Sequence, residues 1–142
     1  MSDMNEHIVR IGVNVFVIEN GKLLWGNRIG KTSGWCLPGG KFEFGESLTG
    51  GAARELEEET GIKVKEEDLE FIQLINEPEP EKDSHYIHIN FLAKKWEGEP
   101  RVTEPEAFAE WRWFDLETPP DDIFFGHKLF LPAFLKKVSL VA

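Results

Sequence analysis

Residues 40–62 constrain the fold of this 142-residue chain more than any other stretch, because they bring several carboxylates together. Their sequence is GKFEFGESLTGGAARELEEETGI. A helix over residues 47–60 turns about 100° per residue, so Glu55 and Glu59 point within roughly 40° of each other. Glu58 lies beside them. Three acidic side chains are therefore expected on one face of a single helix.

The rest of this helix indicates how the acids are held and what they bind. An apolar side on an adjacent arc, which can pack against a sheet, is formed by Ala52, Ala53 and Leu56. The acids repel one another, and they lie in the C-terminal half of the helix, where the macrodipole disfavours each negative charge by about 0.3 kcal/mol or more. We therefore expect a positive partner at this face; the alternative is a solvated acidic face.

The spacing of the acids matches a known motif. Residues 40–62 read G-x5-E-x7-REL-x-EE-x-GI, which fills every defining position of the Nudix box. The surroundings are suitable, because Ser47 can cap the helix and Gly61 suits a C-terminal position with positive φ. The chain therefore resembles the Nudix hydrolases. The glycine pair at 50–51 has no explanation in the sequence, since each glycine costs a helix about 1 kcal/mol relative to alanine.

The resemblance implies a metal site built from oxygen atoms. Glu55, Glu58 and Glu59 are the metal-binding acids in this interpretation, and the backbone carbonyl of Gly39 is a further ligand. An all-oxygen cluster selects a hard cation, so Mg²⁺ is the first choice, with Mn²⁺ as a substitute, and Zn²⁺ is disfavoured. Such a cation would join an acidic protein to the phosphate oxygens of a substrate.

The resemblance also implies hydrolysis of a diphosphate bridge by an activated water. One glutamate should accept the proton of this water, and Glu55 and Glu58 are the two candidates. Glu104 matches a loop position that supplies an extra ligand or base in some relatives; a solvated loop acid is the alternative. Arg54 can hold the acids in register through charge-assisted hydrogen bonds, or it forms an ordinary helix pair with Glu58.

The length and charge of the chain indicate how many domains it has and which partners are excluded. Residues 1–142 are expected to form a single domain around one core, with a flexible polar segment at 1–7. No apolar run approaches about 18 residues, so no membrane partner is expected and a cytoplasmic location is the default. The net charge of −10 argues against a nucleic-acid duplex as partner. Cys36 is the single cysteine, which excludes an internal disulfide and favours a place in the core or pocket lining.

Hydrophobic periodicity predicts the remaining elements. Alternation predicts long strands over residues 8–18 and 85–95, and Asn20-Gly21 predicts a tight hairpin turn. One face of the second long strand carries Tyr86, His88, Asn90 and Leu92. Other elements are strands over 22–27, 35–37, 69–76 and 110–114 and a closing helix over 127–138 that starts or breaks near Pro132. The acidic loop at 77–83 is interpreted as solvated.

Together these elements predict an α+β fold. A hairpin, a long helix, further antiparallel strands and a terminal helix give helices packed on both faces of a mixed sheet. This arrangement agrees with the α/β/α sandwich that the Nudix resemblance implies. His85 and His88 have no metal-ligand partner at a suitable spacing, so they are interpreted as pocket lining or ordinary polar residues.

A nucleobase site needs aromatic faces for stacking, although most aromatic residues in a chain of this size belong to the core. The segment 119–126, PPDDIFFG, is similar to the base-contacting segment of Nudix enzymes that hydrolyse normal or oxidised nucleoside triphosphates. The candidates for substrate binding are Trp35, Gly40, Asp121, Asp122, Phe124 and Phe125.

Three functions are consistent with these observations. The first is a Mg²⁺-dependent pyrophosphohydrolase that converts a nucleoside triphosphate to a monophosphate and pyrophosphate. The second is an ADP-ribose or nucleotide-sugar pyrophosphatase, because Pro78 lies 16 residues beyond the box, as in ADP-ribose hydrolases of the family. A non-catalytic nucleotide-binding module is less favoured, since no box acid is missing. Relatives of this size are often homodimers, and Phe130, Leu131 and Phe134 could cover either a core or a partner.

Overall fold

The computed structural model describes residues 7–142. The predicted flexible segment at 1–7 therefore lies outside the described residues, except for His7. In chain order the elements are β1 (Arg10–Phe16), β2 (Ile18–Glu19), β3 (Lys22–Arg28), β4 (Gly34–Cys36), β5 (Gly39–Lys41), α1 (Leu48–Thr60), β6 (Leu69–Glu79), β7 (Ser84–Ala93), β8 (Phe108–Asp115), α2 (Phe130–Leu135) and β9 (Leu140–Val141).

A five-stranded mixed sheet, in the order β5-β1-β7-β6-β9, forms the centre of the fold. Strands β1 and β7 are parallel, as are β6 and β9, and the other pairs are antiparallel. On one face Leu56 of α1 packs with Val13, Val15 and Phe91, and on the other face Phe130 of α2 packs in a second cluster. This confirms the predicted α+β sandwich with a mixed sheet between helices. A second sheet has the order β2-β3-β4, with β8 also paired to β3.

The predicted strand over residues 8–18 is wrong in one respect, because the chain changes sheets within it. β1 ends at Phe16 in the central sheet, and β2 begins at Ile18 in the second sheet. The alternation of side chains continues through this point, so periodicity alone does not reveal the change of pairing partner. The next turn confirms its prediction, since Asn20 and Gly21 have φ of 54° and 75° and join β2 to β3.

Helix α1 confirms the predicted ends. The side chain of Ser47 accepts a hydrogen bond from the Gly50 N–H, and Gly61 has φ of 80° and donates its N–H to the Glu57 carbonyl. The structure also explains the glycine at position 51. A Cβ atom there would lie 2.7 Å from Glu46 Oε1, too close for the carboxylate to keep its position.

Two predicted segments differ in the structure. Residues 77–79 extend β6 instead of starting a loop, and the Glu77 side chain is only 7% exposed, so the solvated interpretation of this acid is wrong. The predicted closing helix over 127–138 is limited to the six residues of α2, which follows a 3-10 turn at Phe125–His127 and ends before Lys137, whose φ of 57° is not helical. Phe130 and Leu131 are buried within the chain's own core, so they give no support to the expected homodimer.

Other predicted strands lie at or near their predicted positions. The long strand predicted at 85–95 is β7, which lies in the middle of the central sheet. The short strand predicted at 35–37 is β4, one residue earlier. In the part of the chain that the structure describes, none of the helices has the length and apolar character needed to cross a membrane.

Replacing Gly51 with alanine should destabilise the protein, although alanine favours helix formation by about 1 kcal/mol. The added Cβ would displace Glu46 Oε1, which accepts from the Glu43 N–H and from Arg54 at 2.8 Å each. We expect the free energy of unfolding in urea to fall by about 1–2 kcal/mol. Glu57→Ala, at an exposed position of the same helix, should change it by less than about 0.5 kcal/mol. An increase in stability for Gly51→Ala would contradict this account of the glycine.

Candidate active site

Helix α1 places two of its acids against the backbone of the edge strand β5. Glu59 Oε1 accepts a hydrogen bond from the Gly39 N–H at 3.0 Å. Glu55 lies so close to Gly40 that any Cβ atom at that position would collide with the carboxylate. Position 40 therefore needs a glycine because of the approach of the helix, whereas a Cβ atom at position 39 would collide with Asn14 and Val13 of β1.

Arg54 is the positive partner expected at the acidic face. Its Nε and Nη2 atoms donate to the two oxygens of Glu46 at 3.0 and 2.8 Å, which is a bidentate pair. Nη1 donates to Glu55 and Glu58, at 3.2 Å each, and Nη2 also contacts the Lys41 carbonyl. Both alternatives for Arg54 are thus present in the structure, since the helix pair with Glu58 is one contact of a larger network.

Burial makes the charges of this cluster costly. It raises the pKa of Glu55 to about 7, a shift that Arg54 opposes and Glu58 reinforces. It also raises the pKa of Glu59 well above its ordinary value, although the Gly39 N–H opposes this shift. A carboxylate that is desolvated and close to other acids favours the entry of a cation.

The donor set fits a hard divalent cation by its chemistry. Glu55, Glu58, Glu59 and the Gly39 carbonyl could hold such an ion, and all of them offer oxygen atoms. Within residues 7–142, no three His, Cys, Asp or Glu side chains converge as ready metal ligands. The reason is that Glu55 and Glu58 face Arg54, while Glu59 faces the Gly39 amide. Each of these hydrogen bonds engages only the Oε1 atom of its carboxylate.

A loop brings Glu104 to the acidic cluster. The hydroxyl of Thr103 donates to the backbone carbonyl of Glu58, which ties the loop to the last turn of α1. Burial raises the pKa of Glu104, and the charges of Glu106 and Glu58 add to the shift. Because the loop is long and carries several acids, its sequence could not show which of them lies near the helix.

A cavity of about 400 Å³ lies on the other side of β5, and Gly39 and Gly40 line it. One face of the central sheet forms its floor, with residues from β1, β7 and β6. Segment 124–127 and Arg28 are among its other walls. The strand β5 is therefore the wall that the cavity and the acidic cluster share.

The predicted substrate-binding residues fall into two groups. Gly40, Phe124 and Phe125 line the cavity. Trp35 lies outside this lining, and its ring packs against Phe114 at 4.9 Å between centroids. Asp121 and Asp122 have exposed side chains outside the lining, and the Asp122 carbonyl accepts from the Trp35 N–H at 2.7 Å. The structure thus brings the two phenylalanines to the cavity and leaves both aspartates at the surface.

The cavity floor carries His88, which the sequence analysis interpreted as pocket lining or an ordinary polar residue, and two polar residues that it missed, Glu77 and Asn14. Glu77, His88 and Asn14 all line the cavity, and each is nine-tenths or more buried. Burial raises the pKa of Glu77 to about 7, with a further contribution from Glu79, and it lowers the pKa of His88 to about 4. The sequence signal for His88 was the alternation within β7, which places it on the polar face.

Arg54→Lys should test how much the buried network contributes to stability. Lysine keeps the charge but cannot form the bidentate pair with Glu46. We expect the free energy of unfolding to fall by about 1–3 kcal/mol in urea titrations. The control is Arg112→Lys, which removes a bidentate pair with Glu110 on an exposed strand and should cost at most about 1 kcal/mol. Equal losses in the two variants would contradict a special role for the Arg54 network.

Glu77→Gln should change how stability depends on pH. The raised pKa means that the folded state holds the proton of Glu77 more tightly than the unfolded chain, so stability is lost as pH rises from about 4.5 to about 7. The variant should be more stable than the wild type by about 1–3 kcal/mol at pH 8, and this gap should close near pH 4. Urea unfolding at both pH values measures it, with Glu70→Gln, at an exposed position near the other end of β6, as control. The same gap at both pH values would contradict the buried charge.

Comparison with known proteins identifies the family. A family model described as the NUDIX domain matches residues 9–134. An RNA pyrophosphohydrolase of Pelagibacter ubique is 31% identical over 137 residues, covering 85% of this chain and 86% of that protein. An ADP-ribose pyrophosphatase of Methanocaldococcus jannaschii is 29% identical over 102 residues, covering 72% of this chain and 57% of that protein.

A solved structure supports the same assignment. The crystal structure of the MutT NUDIX hydrolase from Burkholderia pseudomallei superposes with a TM-score of 0.81 and 27% sequence identity, covering 88% of this chain and 97% of that chain. The superposition shows that the two proteins share a fold. The family model covers the whole of helix α1 and the strand β5 that it contacts. Because the family model matches most of the chain, including the cavity floor and the loop of Glu104, the chain belongs to the Nudix family of hydrolases.

Proposed function

We propose that this protein is a Mg²⁺-dependent pyrophosphohydrolase that converts a nucleoside triphosphate to a monophosphate and pyrophosphate. The observation that supports it is the shared wall at β5. Gly39 and Gly40 touch the acids of α1 and also line the cavity. A nucleoside held in the cavity would have its phosphates within reach of the acidic cluster across a strand that carries no side chain at these two positions.

The charge of the cavity favours an anionic substrate. Its lining includes four cationic residues, Arg10, Arg28, Lys41 and Lys82, against the two acids Glu77 and Glu79. This excess of positive charge stands out in a protein whose net charge is −10. Cations that line a cleft concentrate an anionic substrate there. Phe124 and Phe125 also line the cavity and offer rings for stacking. Arg28 lies 5.1 Å from the centroid of the Phe124 ring, and Lys82 lies 4.8 Å from that of Phe125.

The residues of the acidic cluster have different roles in the proposed hydrolysis. A bound Mg²⁺ would lower the pKa of a water and neutralise charge on the phosphate oxygens. Glu55, Glu58, Glu59 and the Gly39 carbonyl would hold it. Either Glu55 or Glu58 accepts the proton from the attacking water, and Glu104 is a further base at the same cluster. Arg54 is a positioning residue, because its bonds to Glu46 fix the side chains of the acids without contact to substrate.

Two relatives suggest alternative substrates for the same chemistry. By its name, the Methanocaldococcus relative acts on ADP-ribose, which supports the second candidate, an ADP-ribose or nucleotide-sugar pyrophosphatase. By its name, the Pelagibacter relative acts on RNA. A triphosphate at the 5′ end of RNA has the same phosphate chain as a free nucleoside triphosphate. The two differ in the group attached beyond the first ribose, so a direct comparison of their turnover can separate them.

Turnover of a substrate panel tests the proposal. Nucleoside triphosphates, ADP-ribose, a nucleotide sugar and a 5′-triphosphorylated RNA oligonucleotide would each be incubated with Mg²⁺, and products separated by anion-exchange chromatography. We expect monophosphate and pyrophosphate from the triphosphates. Glu58→Gln and Glu59→Gln should each lower turnover by roughly 10³-fold or more, while Glu57→Gln, exposed on the same helix, should stay near the wild-type rate.

Other results would contradict specific parts of the proposal. Inertness toward all triphosphates would discard the first candidate, and cleavage of ADP-ribose alone would favour the second. Near wild-type turnover in Glu58→Gln or Glu59→Gln would contradict the metal-site assignment. Titration calorimetry with Mg²⁺ and Mn²⁺ provides a second readout for these variants, since loss of a ligand should weaken cation binding whether or not the reaction is observed.

A further inference from the structure

Two buried polar atoms on the cavity floor have no hydrogen-bond partner among the described residues. They are Glu77 Oε1 and His88 Nε2. Their side chains are 7% and 5% exposed, and both line the cavity. A buried polar atom without a partner costs free energy, so its retention needs an explanation. A ligand that enters the cavity could supply both partners.

A chain of buried amides determines which nitrogen of His88 carries its proton. Gln73 Nε2 donates to the Phe130 carbonyl, so Gln73 Oε1 must accept, and it accepts from Asn90 at 2.7 Å. Asn90 Oδ1 in turn accepts from Asn14 Nδ2 at 2.9 Å. The Phe130 carbonyl thus fixes the orientation of all three amide side chains. As a result, Asn14 presents its NH₂ group toward His88.

The second N–H of Asn14 therefore meets His88 Nδ1, which lies 3.0 Å from Asn14 Nδ2 and acts as the acceptor. Burial lowers the pKa of His88 to about 4, so the ring is neutral at pH 7. A neutral histidine that accepts at Nδ1 carries its hydrogen on Nε2. The atom without a partner is thus a hydrogen-bond donor. The other one, on Glu77, belongs to a carboxyl group that accepts when ionised.

These two groups lie close together on one sheet face. Glu77 of β6 is directly opposite Tyr86 of β7, and His88 lies two residues further along β7 on the same face. Diagonal neighbours of this kind have Cα atoms about 7–8 Å apart, within reach of long side chains. The cavity floor therefore offers one donor beside an acceptor that can take two hydrogen bonds.

We propose that Glu77 and His88 read the edge of a guanine base, with Glu77 accepting from N1–H and N2–H and His88 Nε2–H donating to O6. This inference rests on the proposed function for the identity of the ligand as a nucleotide. Guanine is the one common base whose edge has an acceptor followed by two adjacent donors. Adenine and cytosine place a ring acceptor next to their amino group, and uracil places its single N–H between two carbonyls, so an ionised Glu77 would repel each of them.

Binding of nucleoside monophosphates tests the inference apart from catalysis. Titration calorimetry would compare GMP with IMP, which lacks only the 2-amino group, and with AMP. The wild type should bind GMP about tenfold or more tightly than either of the others, since a two-bond contact is involved. Glu77→Gln should lose about tenfold in GMP affinity and bring the GMP-to-IMP ratio close to one. It should not weaken AMP binding, because it removes the carboxylate that repels adenine.

Controls separate this contact from a general charge effect. Glu70→Gln removes the same charge from an exposed position near the other end of the same strand and should leave all three affinities unchanged. Thermal unfolding would verify that Glu77→Gln is folded. Equal binding of GMP, IMP and AMP by the wild type, or an unchanged preference in Glu77→Gln, would overturn the inference.

The two proposals fail in different ways. If Glu77 selects GMP but no triphosphate is hydrolysed, the inference stands and the proposed function is wrong. If triphosphates are hydrolysed with the same kcat/KM whatever the base, the proposed function stands and the reading of guanine is overturned. Measuring kcat/KM for GTP, ITP and ATP in the wild type and in Glu77→Gln provides this second comparison.

Discussion

The contact between helix α1 and the strand β5 is the constraint on which the site depends. Glu59 accepts from the Gly39 N–H, and Glu55 occupies the space that a side chain at position 40 would need. The helix can approach this closely because position 40 is a glycine, while the glycine at position 39 leaves room for Asn14 and Val13 of β1. Two partly buried carboxylates are thereby held against an edge strand, and the same strand forms a wall of the cavity.

Arg54 makes this arrangement compatible with folding. Three acids on one helical turn repel each other, and burial removes the water that would otherwise screen them. The guanidinium group offers several donors in a rigid plane, so it can pair with Glu46 and also contact Glu55 and Glu58. Glu46 also accepts from the Glu43 N–H, so one hydrogen-bond network joins the loop, the helix and the acids.

A second polar network lies on the opposite face of the same sheet. Gln73, Asn90 and Asn14 are buried in one row across three strands, and the row begins at the Phe130 carbonyl of α2. Buried polar groups are tolerated only when each forms a hydrogen bond. In this row each amide group donates to the next acceptor in the direction of the Phe130 carbonyl. The row joins the terminal helix to the cavity floor and orients His88 there. The fold therefore carries two ordered polar systems, one on each face of the central sheet.

The sequence by itself determined the parts of this protein that rest on local pattern. Helical spacing placed Glu55, Glu58 and Glu59 on one face, and the cap residues Ser47 and Gly61 gave the helix its ends. Strand alternation found β7 and its polar face, and the Asn-Gly pair gave the hairpin. These features depend on neighbours within a few residues, so they can be read without knowledge of the fold.

Only the tertiary structure decided which distant groups meet. Residues 77–83 are acidic and contain proline, as a solvated loop would, yet strand pairing with β7 draws Glu77 into the cavity. Asp121 and Asp122 fit a base-binding motif, but their segment runs beside Trp35 and leaves them exposed. The orientation of His88 is set by a carbonyl 42 residues away in sequence, at Phe130. Burial and long-range hydrogen bonds depend on the packing of the whole chain, and periodicity carries no information about them.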